Sequence, residues 1–296
     1  MSVGAVPVES TGALKAGQGA PDLRREFLRT LVRRPAFLVG AAIILFWIVC
    51  AIFGPLFAGN AFAQNLLSVN KAPSSAHWFG TDQYGRDMFA RVIIGSRDVL
   101  IIAPLATLLG TVAGTVIGLV MGYFRGVTDD VLGRMVEAFL AIPLVITGIL
   151  GVVALGGSNL ALIIVIAIVF TPLIARTVRA AVLGERDLDY VAAARLRGEG
   201  SLYIMFVEIL PNVLAPIIVE FTVRVGYAVF TLVALSFLGF GLQPPSPNWG
   251  ADISNNYTEI QVGYWWESLF DALAIASLVI GINMFATSVE SALEAS

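Results

Sequence analysis

The chain has 296 residues, of which 57% are hydrophobic and only 13% charged, with a formal net charge of −3 and a mean hydropathy of +0.85. A soluble domain of this size carries roughly twice that share of charge, so an aqueous globule is excluded. Continuous apolar runs of about 20 residues fit helices crossing a hydrocarbon core of ~30 Å, whereas a membrane barrel would show short alternating strands.

The expected fold is therefore an all-α polytopic membrane protein with six transmembrane helices. Residues 1–20 are unpatterned and lack the early apolar core of a cleavable signal peptide. From Asp22, Leu23, Phe27 and Leu31 share one helical face, with Arg24, Arg25, Arg29, Arg33 and Arg34 elsewhere around it. Residues 1–34 then form a cytosolic segment with an interfacial amphipathic helix on anionic lipid, or a plain topogenic charge cluster. Residues 35–95 comprise the first span and an extracytoplasmic segment. His77, the only histidine, excludes a site of several imidazoles.

Residues 96–293 form a core of five further spans. The second, about Val99–Tyr123, carries Gly110, Gly114, Gly118 and Gly122 at four-residue spacing, a stripe that lets helices pack closely in lipid. The third is expected over about Val131–Leu155. It holds Arg134 and Glu137 one helical turn apart, either as a mutual ion pair or as part of a gate. The fourth contains Thr171-Pro172, which should break its hydrogen-bond ladder.

A polar island, residues 184–211, interrupts the apolar runs. It carries Arg186, Arg195 and Arg197 among several carboxylates, and Ala192, Ala193 and Ala194 ahead of Gly198. Four-residue spacing makes a smooth helical face there, suited to close approach by a soluble partner. Leu210-Pro211 closes the island. In the fifth span, Glu220 and Arg224 are spaced for an intrahelical pair. Intramembrane charges face a cavity or another helix, so this pair lines a path or satisfies itself between subunits. The exit is rich in proline, with Gln243, Pro244, Pro245, Trp249 and Asp252 forming a stiff shelf, and Trp249, Tyr264, Trp265 and Trp266 reading as an interfacial belt. The sixth span runs about Glu267–Val289.

Apart from Arg224, inside the fifth span, lysine and arginine partition along alternate segments, thirteen to one side and four to the other. The positive-inside rule then puts both termini and the island in the cytosol. A phosphate-binding loop needs Gly-Lys-Ser/Thr, and the only lysines, Lys15 and Lys71, follow leucine and asparagine. Energy must come from a partner or an ion gradient. A self-sufficient carrier or channel using Glu220 and Arg224, and a scaffold or enzyme subunit, stand as alternatives.

Three strings resemble a known family. Ala193-Ala194, Gly198 and Leu210-Pro211 resemble the coupling loop of ABC-importer permeases, with Ala192 where a glutamate is usual. GTDQYGRD (residues 80–87) and FLGFGLQPPSPNWG (residues 237–250) resemble the dipeptide/oligopeptide/nickel branch. Arg134 and Glu137 resemble that family's basic-x-x-acidic pair. The resemblance implies a type I importer permease fold in a bacterial inner membrane. It implies ATPase coupling through Tyr190, Ala192, Ala193, Ala194, Arg195, Gly198, Leu210 and Pro211, and a translocation path or gate at Arg134, Glu137, Glu220 and Arg224. It further implies a homologous second permease as heterodimer partner, two ABC ATPases carrying ATP and Mg, and an extracytoplasmic binding protein seated on Gln243, Pro244, Pro245, Trp249 and Asp252. No cofactor, catalytic residue, metal site or nucleic-acid partner is expected on this chain. Peptide is the expected cargo, with nickel or another small polar solute as alternatives.

Overall fold

A computed structural model describes residues 31–293. The amphipathic helix expected from Asp22 lies largely outside the described residues, which include only its end: there Leu31 is buried against Val289 and Ala292. The described residues form helices and turns with no strand among them.

Helix α1 (Pro35–Phe57) begins with proline at its first turn, where the missing N–H costs nothing. It packs on the final helix, α10 (Trp266–Leu293), along a seam of small residues. A Cβ on Gly40 would come within 2.6 Å of the Gly281 carbonyl oxygen. Trp47 Nε1 donates to Ser277 Oγ across the same seam at 3.0 Å.

The second helix is longer than its apolar run. α2 (Met88–Phe124) has 37 residues, about 55 Å at 1.5 Å per residue, and it starts where Asp87 Oδ1 accepts from the Ala90 N–H. Its glycine stripe lies against α5 (Asn159–Glu185). A Cβ on Gly114 would meet Ile174 Cβ at 2.8 Å, one on Gly118 the Val178 Cβ at 2.7 Å, and one on Gly122 the Val182 Cβ at 2.7 Å. These two helices make the central seam of the bundle, as the stripe predicts. α5 runs unbroken through Pro172.

The third span is not one helix. α3 (Gly126–Leu140) and α4 (Leu144–Leu155) meet at a 92° bend over Ala141–Pro143. Pro143 sits in extended geometry (φ −53°, ψ 132°), and its missing N–H removes a rung of the ladder there. At about 22 and 18 Å, neither half alone crosses ~30 Å of hydrocarbon.

After α5 comes α6 (Asp189–Leu196), then α7 (Ser201–Asn212), a short apolar helix whose middle, Ile204–Ile209, widens into a π-helical turn. α8 (Leu214–Phe237) returns through the bundle, α9 (Trp249–Asn256) lies across its far end, and α10 completes it. Five long apolar helices and the bent pair thus give up to six crossings. The bundle has an α6 end and an α9 end.

Candidate functional site

At the α6 end, the short helix is fixed to the bundle from beneath. Val191 and Ala194 are fully buried, while Ala192 and Ala193 face outward. Ala194 therefore belongs to the inner face, a correction to the smooth outer surface expected of all three alanines. The helix rests on the end of α5 through Tyr190, whose hydroxyl donates to Glu185 Oε2 at 2.9 Å. Burial, then the Glu185 carboxylate, push the phenol up to about 12. Arg195 stacks over the Tyr123 ring at 5.5 Å and donates to the Arg186 carbonyl at 3.5 Å. Arg197 pairs with Glu208 of α7 at 2.7 Å. Of the closing pair, Leu210 is half-buried and Pro211 exposed.

Gly198 does not continue the α6 face. It has φ +79° and lies just past the helix end, where its N–H donates to the Arg195 carbonyl at 3.0 Å and the Glu199 N–H to the Ala194 carbonyl at 3.2 Å. This is a Schellman stop, which favours glycine for its left-handed backbone. Glycine at a helix end is a legible cap signal, here read instead as part of a smooth surface. Leu196, not singled out from the sequence, is 90% exposed at the helix tip.

Beside this end lies a polar cavity of about 400 Å³ lined by Arg134 and Glu137 with Asp129, Asp130, Arg176 and Arg179. Among the described residues no ion pair joins Arg134 to Glu137, against the mutual pair that their spacing allows. The bidentate pair is Arg179 to Asp129, with both contacts at 2.6 Å; it ties α5 to α3. Fifty residues separate these partners, beyond any local sequence signal.

Midway along α8, Arg224 contacts Glu220 Oε1 through Nε at 2.7 Å and Nη2 at 2.6 Å. The guanidinium also sits 5.5 Å from the Tyr227 ring centre. The pair is intrahelical, as the spacing predicts, and neither side chain is fully buried.

At the α9 end, Gln243, Pro244 and Pro245 are exposed, whereas Trp249 and Asp252 are buried. These last two hold the shelf from beneath, a correction to their expected place on a contact surface. Trp249 Nε1 donates to the Val92 carbonyl at 2.9 Å, and its ring meets Trp47 edge-on at 5.0 Å. Trp266 likewise leaves the expected interfacial belt: it is buried and donates to the Thr81 carbonyl at 3.2 Å.

Asp252 takes both arms of Arg91, at 3.0 and 2.6 Å. Arg91 is 1% exposed and also donates to the carbonyls of Ala61, Pro245 and Ser246 at 3.2 to 3.4 Å. Burial raises the Asp252 carboxyl above its ordinary value, and the Arg91 guanidinium opposes that rise. Arg86 joins the cluster by pairing with Asp82 at 2.6 Å. Sequence reading counted Arg91 only as extracytoplasmic charge, and met Arg86 only as part of that count and of the string GTDQYGRD. His77, half-buried, contacts Asp87 Oδ2 at 2.8 Å, a structural tie at the start of α2.

Comparison with known proteins matches residues 114–295 to the family model described as binding-protein-dependent transport system inner membrane component. Residues 23–73 match the N-terminal TM domain of oligopeptide transport permease C. The chain is 37% identical over 271 residues to the dipeptide transport system permease protein DppC of Alkalihalophilus pseudofirmus, covering 91% of this chain and 89% of that protein. It is 34% identical over 275 residues to the glutathione transport system permease protein GsiD of Pectobacterium atrosepticum, covering 91% and 90%. The fold is similar to a chain of the MetNI methionine ABC transporter in inward-facing form, with TM-score 0.56 and 19% identity over 69% of this chain and 95% of that one. A family model spanning more than half of the sequence, and relatives matched nearly end to end, place this multi-pass inner-membrane protein: it belongs to the binding-protein-dependent transport system inner membrane components, the permease subunits of ABC importers, which are not themselves catalytic.

Proposed function

We propose that the chain is one of two homologous permease subunits of an ATP-driven peptide importer, with α6 as its coupling element in the cytosol. The observation that carries this reading is α6 itself. Eight residues are too few to hold a helix in water unaided, yet this one is anchored by Val191 and Ala194 and turns Ala192, Ala193 and a nearly bare Leu196 outward. Small residues admit a partner's backbone, and the leucine supplies an apolar knob for a groove. Ala192 stands where a glutamate is usual, so apolar contact carries more of the docking.

The positive-inside count supports the orientation: α6 and both termini in the cytosol, the shelf outside. Exposed Gln243, Pro244 and Pro245 then receive the binding protein, while Trp249 and Asp252 keep them in place. Two partner ATPases bind ATP and Mg. Closure of these ATPases moves α6 and shifts the path from inward to outward access, which requires ATP to bind the two states unequally. Glu220, Arg224 and Tyr227 line that path at mid-membrane and offer both charges to a zwitterionic peptide. Arg134 and Glu137, unpaired with each other, stand at its cytosolic mouth. A dipeptide and a glutathione system among the relatives support peptide cargo; nothing there favours nickel.

Cys50 is the only cysteine and is buried, so Leu196→Cys introduces the single accessible thiol on this chain. In the assembled transporter it cross-links to an ATPase subunit, and Leu196→Glu uncouples ATP hydrolysis from uptake while leaving membrane insertion intact. Labelling of that thiol only from outside the cell, or solute uptake by the purified chain alone in liposomes without ATP, would overturn the proposal.

A further inference from the structure

At the α9 end a second cavity, of about 540 Å³, opens between the end of α1, the first turns of α2, the start of α5 and the shelf. Its polar residues are Asn60, Arg97, Asp98, Asn159 and Ser246. Asp98 accepts a hydrogen bond from Ser246 Oγ at 3.1 Å. Its neighbour Arg97 is exposed and has no ion pair or hydrogen bond among the described residues. A cation and an anion thus stand side by side in one pocket, within Coulombic reach of each other but with no direct ion pair between them.

The height of this cavity is fixed by three spans at once. α1 ends at Phe57 and α5 begins at Asn159. Arg97 and Asp98 are the last charges on α2 before the uncharged stretch 99–124, about 39 Å long and enough to cross the hydrocarbon core. The cavity therefore lies at the headgroup boundary. Below and beside it the surface is apolar and bare: Leu56, Phe57, Ile101 and Leu105 are all exposed.

We propose that this cavity holds the headgroup of a zwitterionic aminophospholipid, with the phosphate on Arg97, the ammonium on Asp98, and the acyl chains along α1 and α2. Arginine suits phosphate by its fork of donors. An ammonium completes the hydrogen bonding of Asp98, whose other oxygen Ser246 leaves free. The ammonium-and-anion chemistry is shared with a peptide's termini. Position favours the lipid, because the flanking surface offers chains a bed that a water-soluble zwitterion does not use. The inference depends on where the spans end and not on what the transporter carries, so its failure leaves the transport proposal standing.

The test uses the assembled transporter, delipidated in detergent and titrated with phosphatidylethanolamine or phosphatidylglycerol while bound lipid is counted by native mass spectrometry. Phosphatidylethanolamine should bind more tightly than phosphatidylglycerol. Losing a charge-assisted hydrogen bond costs ~1.5–3 kcal/mol, so Arg97→Gln should weaken phosphatidylethanolamine binding about ten- to a hundredfold. Arg97→Lys should restore part of that loss, and Asp98→Asn should remove the preference for phosphatidylethanolamine while retaining lipid. Equal lipid retention by wild type and Arg97→Gln, an unchanged preference in Asp98→Asn, or displacement of the lipid by a soluble dipeptide would each overturn the assignment.

Discussion

Gly198 separates two physical reasons for a glycine beside α6, the coupling element proposed above. The first is close approach by a partner, in which case any side chain is harmful in proportion to its bulk. The second is backbone geometry. A Cβ at Gly198 would meet nothing within 4 Å of its own chain, but the residue has φ +79°, where an L-residue other than asparagine or aspartate costs about 1–2 kcal/mol. Gly198→Ala should therefore lower the free energy of opening the α6 cap by that amount. Amide exchange at Gly198 and Glu199, the two donors of the stop, should then run roughly 5- to 30-fold faster. Gly198→Asn, a residue that tolerates the left-handed region, should recover most of the protection despite its greater bulk. Uptake and coupled ATPase activity should follow the same order, with Asn above Ala. Exchange in Gly198→Ala equal to wild type, or Asn more damaging than Ala, would refute the backbone account and leave steric approach by the partner as the reason.

Other substitutions test the packing. Arg91→Ala leaves Asp252 buried without its guanidinium, which should cost about 3–5 kcal/mol and loosen the shelf, read as protease sensitivity near Pro244. By contrast, Glu267 and Asp271 are buried with all four carboxylate oxygens unpartnered, so Glu267→Gln and Asp271→Asn should melt no lower than wild type. Gly118→Ala drives a Cβ to 2.7 Å from both Val178 Cβ and the Ala175 carbonyl oxygen, and should cost about 1–3 kcal/mol by overpacking. Gly133→Ala meets only the tip of Met121 at 3.7 Å and should raise the melting temperature slightly, through better helix propensity. Exchanging Glu220 and Arg224 keeps their pair and hence assembly in the membrane; if the pair lines the path as proposed, uptake should fall as its charges are reversed.

Span positions were legible because hydrocarbon imposes one strong demand, a long uncharged run, and this chain meets it repeatedly. The glycine stripe on α2 was equally plain, since spacing alone puts its members on one face. Pro143 was visible, but its consequence was not: a proline that only kinks a helix and one that turns it through 92° look alike in sequence. Burial of charge was least legible. Arg91 lies in a stretch whose polarity signals water, and the carboxylate that offsets its buried charge comes from Asp252, 161 residues away. The outward side of α6 was misjudged for a related reason: alanine is as content inside as outside, so Ala194 carries no mark of its direction.

The length of α2 has a mechanical consequence. Tyr123 carries Arg195 of α6 at one end, and Arg91 grips the shelf at the other. About 48 Å of helix lies between them at 1.5 Å per residue. Held along its middle by the glycine seam, such a rod works as a beam on a pivot: a tilt of about 5° displaces either tip by roughly 2 Å about the centre, or 4 Å if the far tip is fixed. Push and response then arrive together through one continuous piece of backbone.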